Sequence, residues 1–197
     1  MAKSYLTRKE KIIINAIDIL DQGGINGLTM KEIANQQGIT EPAVYRQFNN
    51  KKEIVLTILE RFAAFDENLM NTVGQQGMRP DEAINYFFIS YATYYQNYPQ
   101  IVTALFSYDV YRYEPEANRR MKEIIQKRSR FIERLVQEGI RQNIFSADQT
   151  PKVYAQMLLG LLWSSMYQWK MDECHWNLKE NVTKQLDWML SRMKQPS

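Results

Sequence analysis

Two helix starts, Thr29 and Thr40, lie eleven residues apart with Gly38 between them, and this spacing limits the fold more than any other feature. Thr29-Met30-Lys31-Glu32 is a capping-box pattern, in which hydroxyl and carboxylate satisfy free N–H groups reciprocally. Ile33 and Ala34 then face inward, Gly38 ends the helix, and Ile39 plugs the gap that follows. Thr40 suits an N-cap, and Pro42 sits in the first turn, where a missing N–H costs nothing. Val44 and Phe48 take the core side, and the helix stops near Asn49-Asn50. A preceding helix, about Thr7 to Gln22, carries Ile12, Ile13, Ala16, Ile17, Ile19 and Leu20 on one side and ends at Gly23-Gly24. Two helices of about two turns joined at a glycine form the helix-turn-helix pattern, whose second helix enters the major groove of DNA with its N-terminal residues leading. A plain bundle of short helices is the alternative.

Charge adds to the first reading. Residues 1–52 hold the bases Lys3, Arg8, Lys9, Lys11, Lys31, Arg46, Lys51 and Lys52 against the acids Glu10, Asp18, Asp21, Glu32 and Glu41. The whole excess of +3 therefore lies in the first quarter of the chain, and the remainder is neutral. A basic unit on a neutral body suits a polyanion. Lys51 and Lys52 follow Asn50, which opens helix four with Glu53 as its capping partner. Cations there oppose the helix dipole; a bound phosphate would offset this, and solvated lysines are the bland alternative. The 197 residues, 45% hydrophobic, suffice for a DNA-binding unit and a larger body. No apolar run approaches a membrane span, and the N-terminal stretch lacks a signal-peptide core. A single cysteine, Cys174, fits a reducing cytoplasm.

The stretch from Leu28 to Glu53 resembles the signature of the TetR family: a Thr opening helix two (Thr29), a Gly-hydrophobic-Thr turn (Gly38-Ile39-Thr40), a Tyr followed three residues later by Phe (Tyr45, Phe48), and a Lys opening helix four (Lys51). The match covers about residues 8–60, and the rest of the chain fits by length and helical character alone. The resemblance implies that Thr29, Tyr45 and Lys51 contact phosphates. It implies that Thr40, Glu41, Pro42, Ala43 and Arg46 lie at or near base edges. Arg46 is the candidate for reading guanine, since a guanidinium pairs bidentately with its two major-groove acceptors; neutralising phosphate is its other role.

The expected fold is all-α, about nine helices, with a homeodomain-like helix-turn-helix domain at 1–52 and an effector-binding and dimerisation domain at 53–197. Helix four is expected from Asn50 to about Val73, and helix five from Pro80 to Asn97. On helix five Ile84, Phe87, Phe88, Tyr91, Tyr94 and Tyr95 share one face. Its tyrosine hydroxyls need partners when buried, from a ligand, water or backbone. Helix six is expected from about Pro99 to Phe106, with Ser107 to Glu114 as a connection. Helix seven, Pro115 to about Gln142, has an apolar face of Met121, Ile124, Ile125, Phe131, Ile132 and Leu135, opposite the basic stripe Arg119, Arg120, Lys127, Arg130 and Arg134. Arg128 falls inside the apolar face and needs an internal acid, a snorkelling stem or an anionic ligand. Helix eight, Thr150-Pro151 to Met171, is apolar nearly all round and must be covered on most sides; Ser164, Ser165 and Gln168 are its polar exceptions. Helix nine, about Trp176 to Met193, carries the stripe Leu178, Val182, Leu186, Met189, Leu190 and Met193. In TetR-like proteins the last two helices pair with their symmetry mates, so a homodimer through about 150–171 and 176–193 is expected.

These features predict a DNA-binding transcriptional regulator acting in the cytoplasm: a repressor released from double-stranded operator DNA by a small, largely apolar ligand. The expected ligand-binding residues are Tyr91, Tyr94, Arg128, Phe131, Leu161, Ser165 and Gln168. A ligand-independent or corepressor-dependent regulator is one alternative, and a helical binding module without DNA another. No catalytic residues, cofactor or metal are expected. Asp172-Glu173-Cys174-His175 holds ligand types, but consecutive residues point in different directions. Phosphate loops and nucleophile motifs are absent from the sequence.

Overall fold

The computed structural model describes residues 6–106 and 114–194. The expected connection at 107–113 lies outside the described residues, as do the first five residues of the basic N-terminus. Among the described residues the chain forms nine α-helices: α1 (Arg8–Gly27), α2 (Met30–Gln37), α3 (Glu41–Tyr45), α4 (Lys51–Gln76), α5 (Pro80–Asn97), α6 (Gln100–Phe106), α7 (Pro115–Arg141), α8 (Pro151–Met171) and α9 (Leu178–Met193). They fall into two compact units, one from Met1–Ala63 and Gln100–Lys122, the other from Ala64–Pro99 and Glu123–Ser197. Helices α4 and α7 contribute residues to both units. The expected domain boundary after residue 52 thus falls two residues into α4.

In the first unit α1 opens on a complete capping box. The Thr7 hydroxyl accepts from the Glu10 N–H at 3.2 Å, and the Glu10 carboxylate accepts from the Thr7 N–H at 2.7 Å. Its buried face holds Ile12, Ile13, Ala16, Ile17, Ile19 and Leu20, as the spacing predicts. Gly24 leaves helical geometry at φ 61°, ψ −164°, but one further turn follows to Gly27. Glycine tolerates that backbone; an L side chain would be strained. Helix α6 packs on α1 with Ile101, Val102 and Ala104 buried. The Thr103 hydroxyl donates to the Asp21 carboxylate.

In the second unit α9 packs against α5 and α8. Phe87, Phe88, Tyr91, Tyr95, Leu158, Leu162, Met166, Trp169, Leu178, Val182 and Leu186 form its core. Each large apolar side chain so buried contributes about 1.5–3 kcal/mol. The Gln96 carboxamide oxygen accepts from the Lys179 N–H at 2.9 Å, tying the end of α5 to the start of α9. Near the end of α7, Gly139 lies so close to the buried Phe145 ring that a Cβ there would overlap it.

Helix α8, expected to be covered on most sides with the help of a symmetry mate, is covered by its own chain on one face, through Tyr154, Ala155, Leu158, Leu162, Ser165, Met166 and Trp169. Val153, Met157, Tyr167 and Met171 remain exposed, as does Trp188 on α9 at 62%. Between them lies a shallow groove of about 670 Å³ lined by Met157, Gly160, Leu161, Ser164, Trp188 and Met189 among others.

Candidate functional site

The helix-turn-helix is built by short-range bonds. The Thr29 hydroxyl accepts from the Glu32 N–H at 3.0 Å, fixing the start of α2. The reciprocal half of the expected box is absent from the described bonds. Glu32 instead accepts from the Gln36 carboxamide at 3.0 Å, and Gln36 in turn accepts from Asn15 on α1 at 2.8 Å. Gly38 takes the left-handed conformation at φ 62°. The Ile39 N–H reaches the Ala34 carbonyl at 3.0 Å and the Gly38 N–H the Asn35 carbonyl at 3.1 Å, a Schellman closure. Thr40 occupies the N-cap position of α3 in extended geometry but makes no side-chain cap bond, contrary to expectation.

Helix α3 is shorter than predicted and ends at Tyr45, with Arg46 as its C-cap. Ala43, Val44 and Phe48 are buried, while Thr40, Pro42, Tyr45 and Arg46 are exposed and Glu41 half-buried. Of the base-edge candidates, Ala43 thus sits with the core, and the others form an outward strip across the turn and α3.

Helix α4 begins with Asn50 accepting from the Glu53 N–H at 3.0 Å, while the Glu53 carboxylate accepts from Asn49 rather than Asn50. The Lys51 ammonium donates to the Ile25 carbonyl at 3.2 Å, which secures the turn after Gly24 and leaves two further N–H donors. Lys52 pairs with Glu116 at 3.1 Å and Glu114 at 3.5 Å. The bond to Glu116 leads the causes that hold its ammonium above the ordinary lysine range. Lys52 is therefore neutralised from within its own unit, and Lys51 is partly engaged.

In the second unit Arg128, expected among the ligand-binding residues, meets an internal acid, one of the three partners the sequence left open. Its Nε and Nη2 donate to the two oxygens of Asp66 on α4, at 3.1 and 3.0 Å. Arg128 is 3% exposed and Asp66 1%. Burial pushes the Asp66 carboxyl up, and the Arg128 guanidinium opposes that. The guanidinium also lies over the Tyr91 ring, 4.5 Å from its centroid, and hydrogen-bonds Tyr95. Tyr91 is 1% exposed and its hydroxyl has no hydrogen-bond partner among the described residues. Phe131 joins the same cluster through Phe87, with ring centroids 5.4 Å apart.

Of the other expected ligand residues, one adjoins this cluster and three lie apart from it. Tyr94 is half-buried and lines a cleft of about 1320 Å³ formed by α4, α5 and α9. Leu161 lines the shallow groove on α8. Ser165 donates to Gln185 on α9 at 3.1 Å, and Gln168, exposed, donates to Ser164 at 2.9 Å. The structure thus brings Tyr91, Arg128 and Phe131 together, with Tyr94 next to them, and sets Leu161, Ser165 and Gln168 apart. Sequence reading missed Asp66 and Phe65. The available signal was phase: Phe62, Asp66, Leu69 and Val73 repeat at helical spacing, so Asp66 stands where an apolar residue belongs.

Comparison with known proteins identifies the architecture. Residues 12–58 match the model for bacterial regulatory proteins of the tetR family, and residues 84–191 match that for the YsiA-like protein, C-terminal region. Over 53 residues the chain is 34% identical to the tetracycline repressor protein class A from transposon 1721 of Escherichia coli, covering 27% of this chain. The chain spans only about a quarter of that relative, 24% of its length. It is 20% identical over 172 residues to the fatty acid metabolism regulator protein of Bacillus subtilis (strain 168), covering 85% of this chain and 86% of that one. The transcriptional regulator FadR of Bacillus subtilis, solved in complex with stearoyl-CoA, shares the fold with a TM-score of 0.78 at 17% identity, over 92% of this chain and 97% of that one. On these matches and its helix-turn-helix, the chain belongs to the TetR family of bacterial regulatory proteins, with a YsiA-like C-terminal region.

Proposed function

We propose that this protein represses transcription as a homodimer bound to a palindromic operator and leaves it when a small, largely apolar ligand binds the second unit. The observation that carries the DNA reading is the outward strip Thr40, Pro42, Tyr45 and Arg46 over a buried Ala43, Val44 and Phe48. It presents polar side chains where a groove-docked helix needs them. Arg46 is assigned to a base edge and Tyr45 and Thr29 to phosphates. Lys51 contributes to a phosphate with the donors left over from Ile25. The exposed apolar strip on α8 and α9, with Trp188 at its edge, is assigned to the symmetry mate, because exposed patches of this kind mark interfaces. The fatty acid regulators among the relatives, one of them holding stearoyl-CoA, support an amphipathic effector for the aromatic interior. Helix α4 carries residues of both units and is the covalent route by which effector binding shifts the population of DNA-competent dimers.

The test is selection of bound sequences from random duplex DNA, followed by affinity against salt for the winner. The reading expects an enriched palindrome with half-sites about 34 Å apart, one helical turn. Weak binding without enrichment, lost at moderate salt, would overturn it.

A further inference from the structure

Two observations in the second unit belong together. The first is the cleft of about 1320 Å³, whose wall includes Phe65 of α4 and Tyr94 of α5. These two rings stack with centroids 4.4 Å apart and planes 23° from parallel. The second is the cluster that their rings adjoin. Phe65 meets Tyr91 edge-on at 5.1 Å, and Tyr94 meets Tyr95 at 5.5 Å. Tyr91 and Tyr95 are in turn the rings that contact Arg128. The stacked pair thus lines the cleft and, through Phe65, also contacts the ring of Tyr91, a buried phenol without a hydrogen-bond partner among the described residues.

A hydroxyl left unpaired in a core is costly, and few survive without a purpose. The neighbouring charges define what Tyr91 accepts. Asp66 already holds two donors of Arg128, so the pair is neutral as it stands. A carboxylate brought into this cluster would be a buried charge without a counter-ion of its own. An uncharged acceptor brings no such penalty.

We propose that the cleft is the mouth of the effector site, that the Phe65–Tyr94 stack is its movable wall, and that the Tyr91 hydroxyl donates to an uncharged carbonyl of the ligand. The ligand class is then an ester, thioester, amide or ketone on an apolar chain, and not a free carboxylic acid. This rests on the reading of the protein as an effector-responsive regulator and names the chemistry of its effector.

The experiment uses the full-length protein and three probes: methyl octanoate, octanoate, and 1-chlorooctane, which has no oxygen acceptor. Calorimetric titration is expected to show the ester binding at least about tenfold more tightly than the carboxylate. Tyr91→Phe should weaken the ester roughly 3- to 10-fold and leave the chloroalkane unchanged, since it removes only the hydroxyl. In the ligand-free protein the same variant should keep or raise the Tm, whereas a hydroxyl serving the packed core would lower it. The inference is overturned if the carboxylate binds as tightly as the ester, or if Tyr91→Phe leaves ester affinity intact. It also fails if the ester does not bind up to its solubility limit while the protein still selects operator DNA, and in that case the regulator reading stands. Tyr91-dependent ester binding in a protein that selects no DNA supports the inference and removes the DNA reading instead.

Discussion

Arg46 and Arg128 show two ways of using one side chain. Arg46 caps a five-residue helix, is exposed, and owes its position to bonds within about ten residues of it. Arg128 is buried and owes its position to an acid 62 residues earlier in the chain. The first region presents polar groups to a partner outside, so its rules are local: caps, a glycine turn and short helical phase. The second hides polar groups from water, so each needs a partner inside, and distant segments must supply it.

Breaking the buried pair should have the largest effect. Arg128→Ala leaves the Asp66 carboxylate uncompensated and should cost about 3–5 kcal/mol in denaturant unfolding. The neighbouring Lys127–Glu67 pair, 3.1 Å apart with both side chains more than half exposed, links the same two helices. Lys127→Ala should cost only about 0–1 kcal/mol, and equal losses from the two variants would refute the contrast. Gly139→Ala comes next: its methyl group meets the Phe145 ring. Overpacking there should lower stability by about 1–3 kcal/mol, read from the urea midpoint.

On the DNA side the signs separate. Arg46→Ala should leave unfolding within about 0.5 kcal/mol of the parent. It should cost about 1–3 kcal/mol of discrimination at one base position, seen by competition among operator variants. The smallest effects distinguish two threonines. Thr29→Ala loses a cap bond and should cost about 1 kcal/mol. Thr40→Ala loses none, so its thermal stability should stay near the parent while its operator affinity falls.

How legible each region was follows from the same distinction. The apolar faces of α1, α5 and α9 came from periodicity, and Pro80, Pro115 and Pro151 marked helix starts to the residue. The ends of α1 and α3 did not, because Gly24 permits a helix to resume and Arg46 has no sequence mark of a C-cap. The apolar circumference of α8 points to cover on most sides and so to a symmetry mate, but which of its faces this chain covers by itself is set by packing and not by composition. Arg128 was recognised as misplaced among apolar residues, yet Asp66 was not, since one acid in a long helix has many unremarkable explanations.

Sequence alone determined the helical class, the helix-turn-helix with its Gly38 turn, the family resemblance, and the demand that Arg128 be compensated. These depend on local backbone preference and on the 3.6-residue period, both written in consecutive residues. Tertiary structure decided that Asp66 meets the demand, that the Tyr91 hydroxyl, beside Phe65, has no partner among the described residues, and that Lys51 is partly held by Ile25. Those outcomes depend on which distant segments reach the same few ångströms, and packing sets that distance where chain order does not.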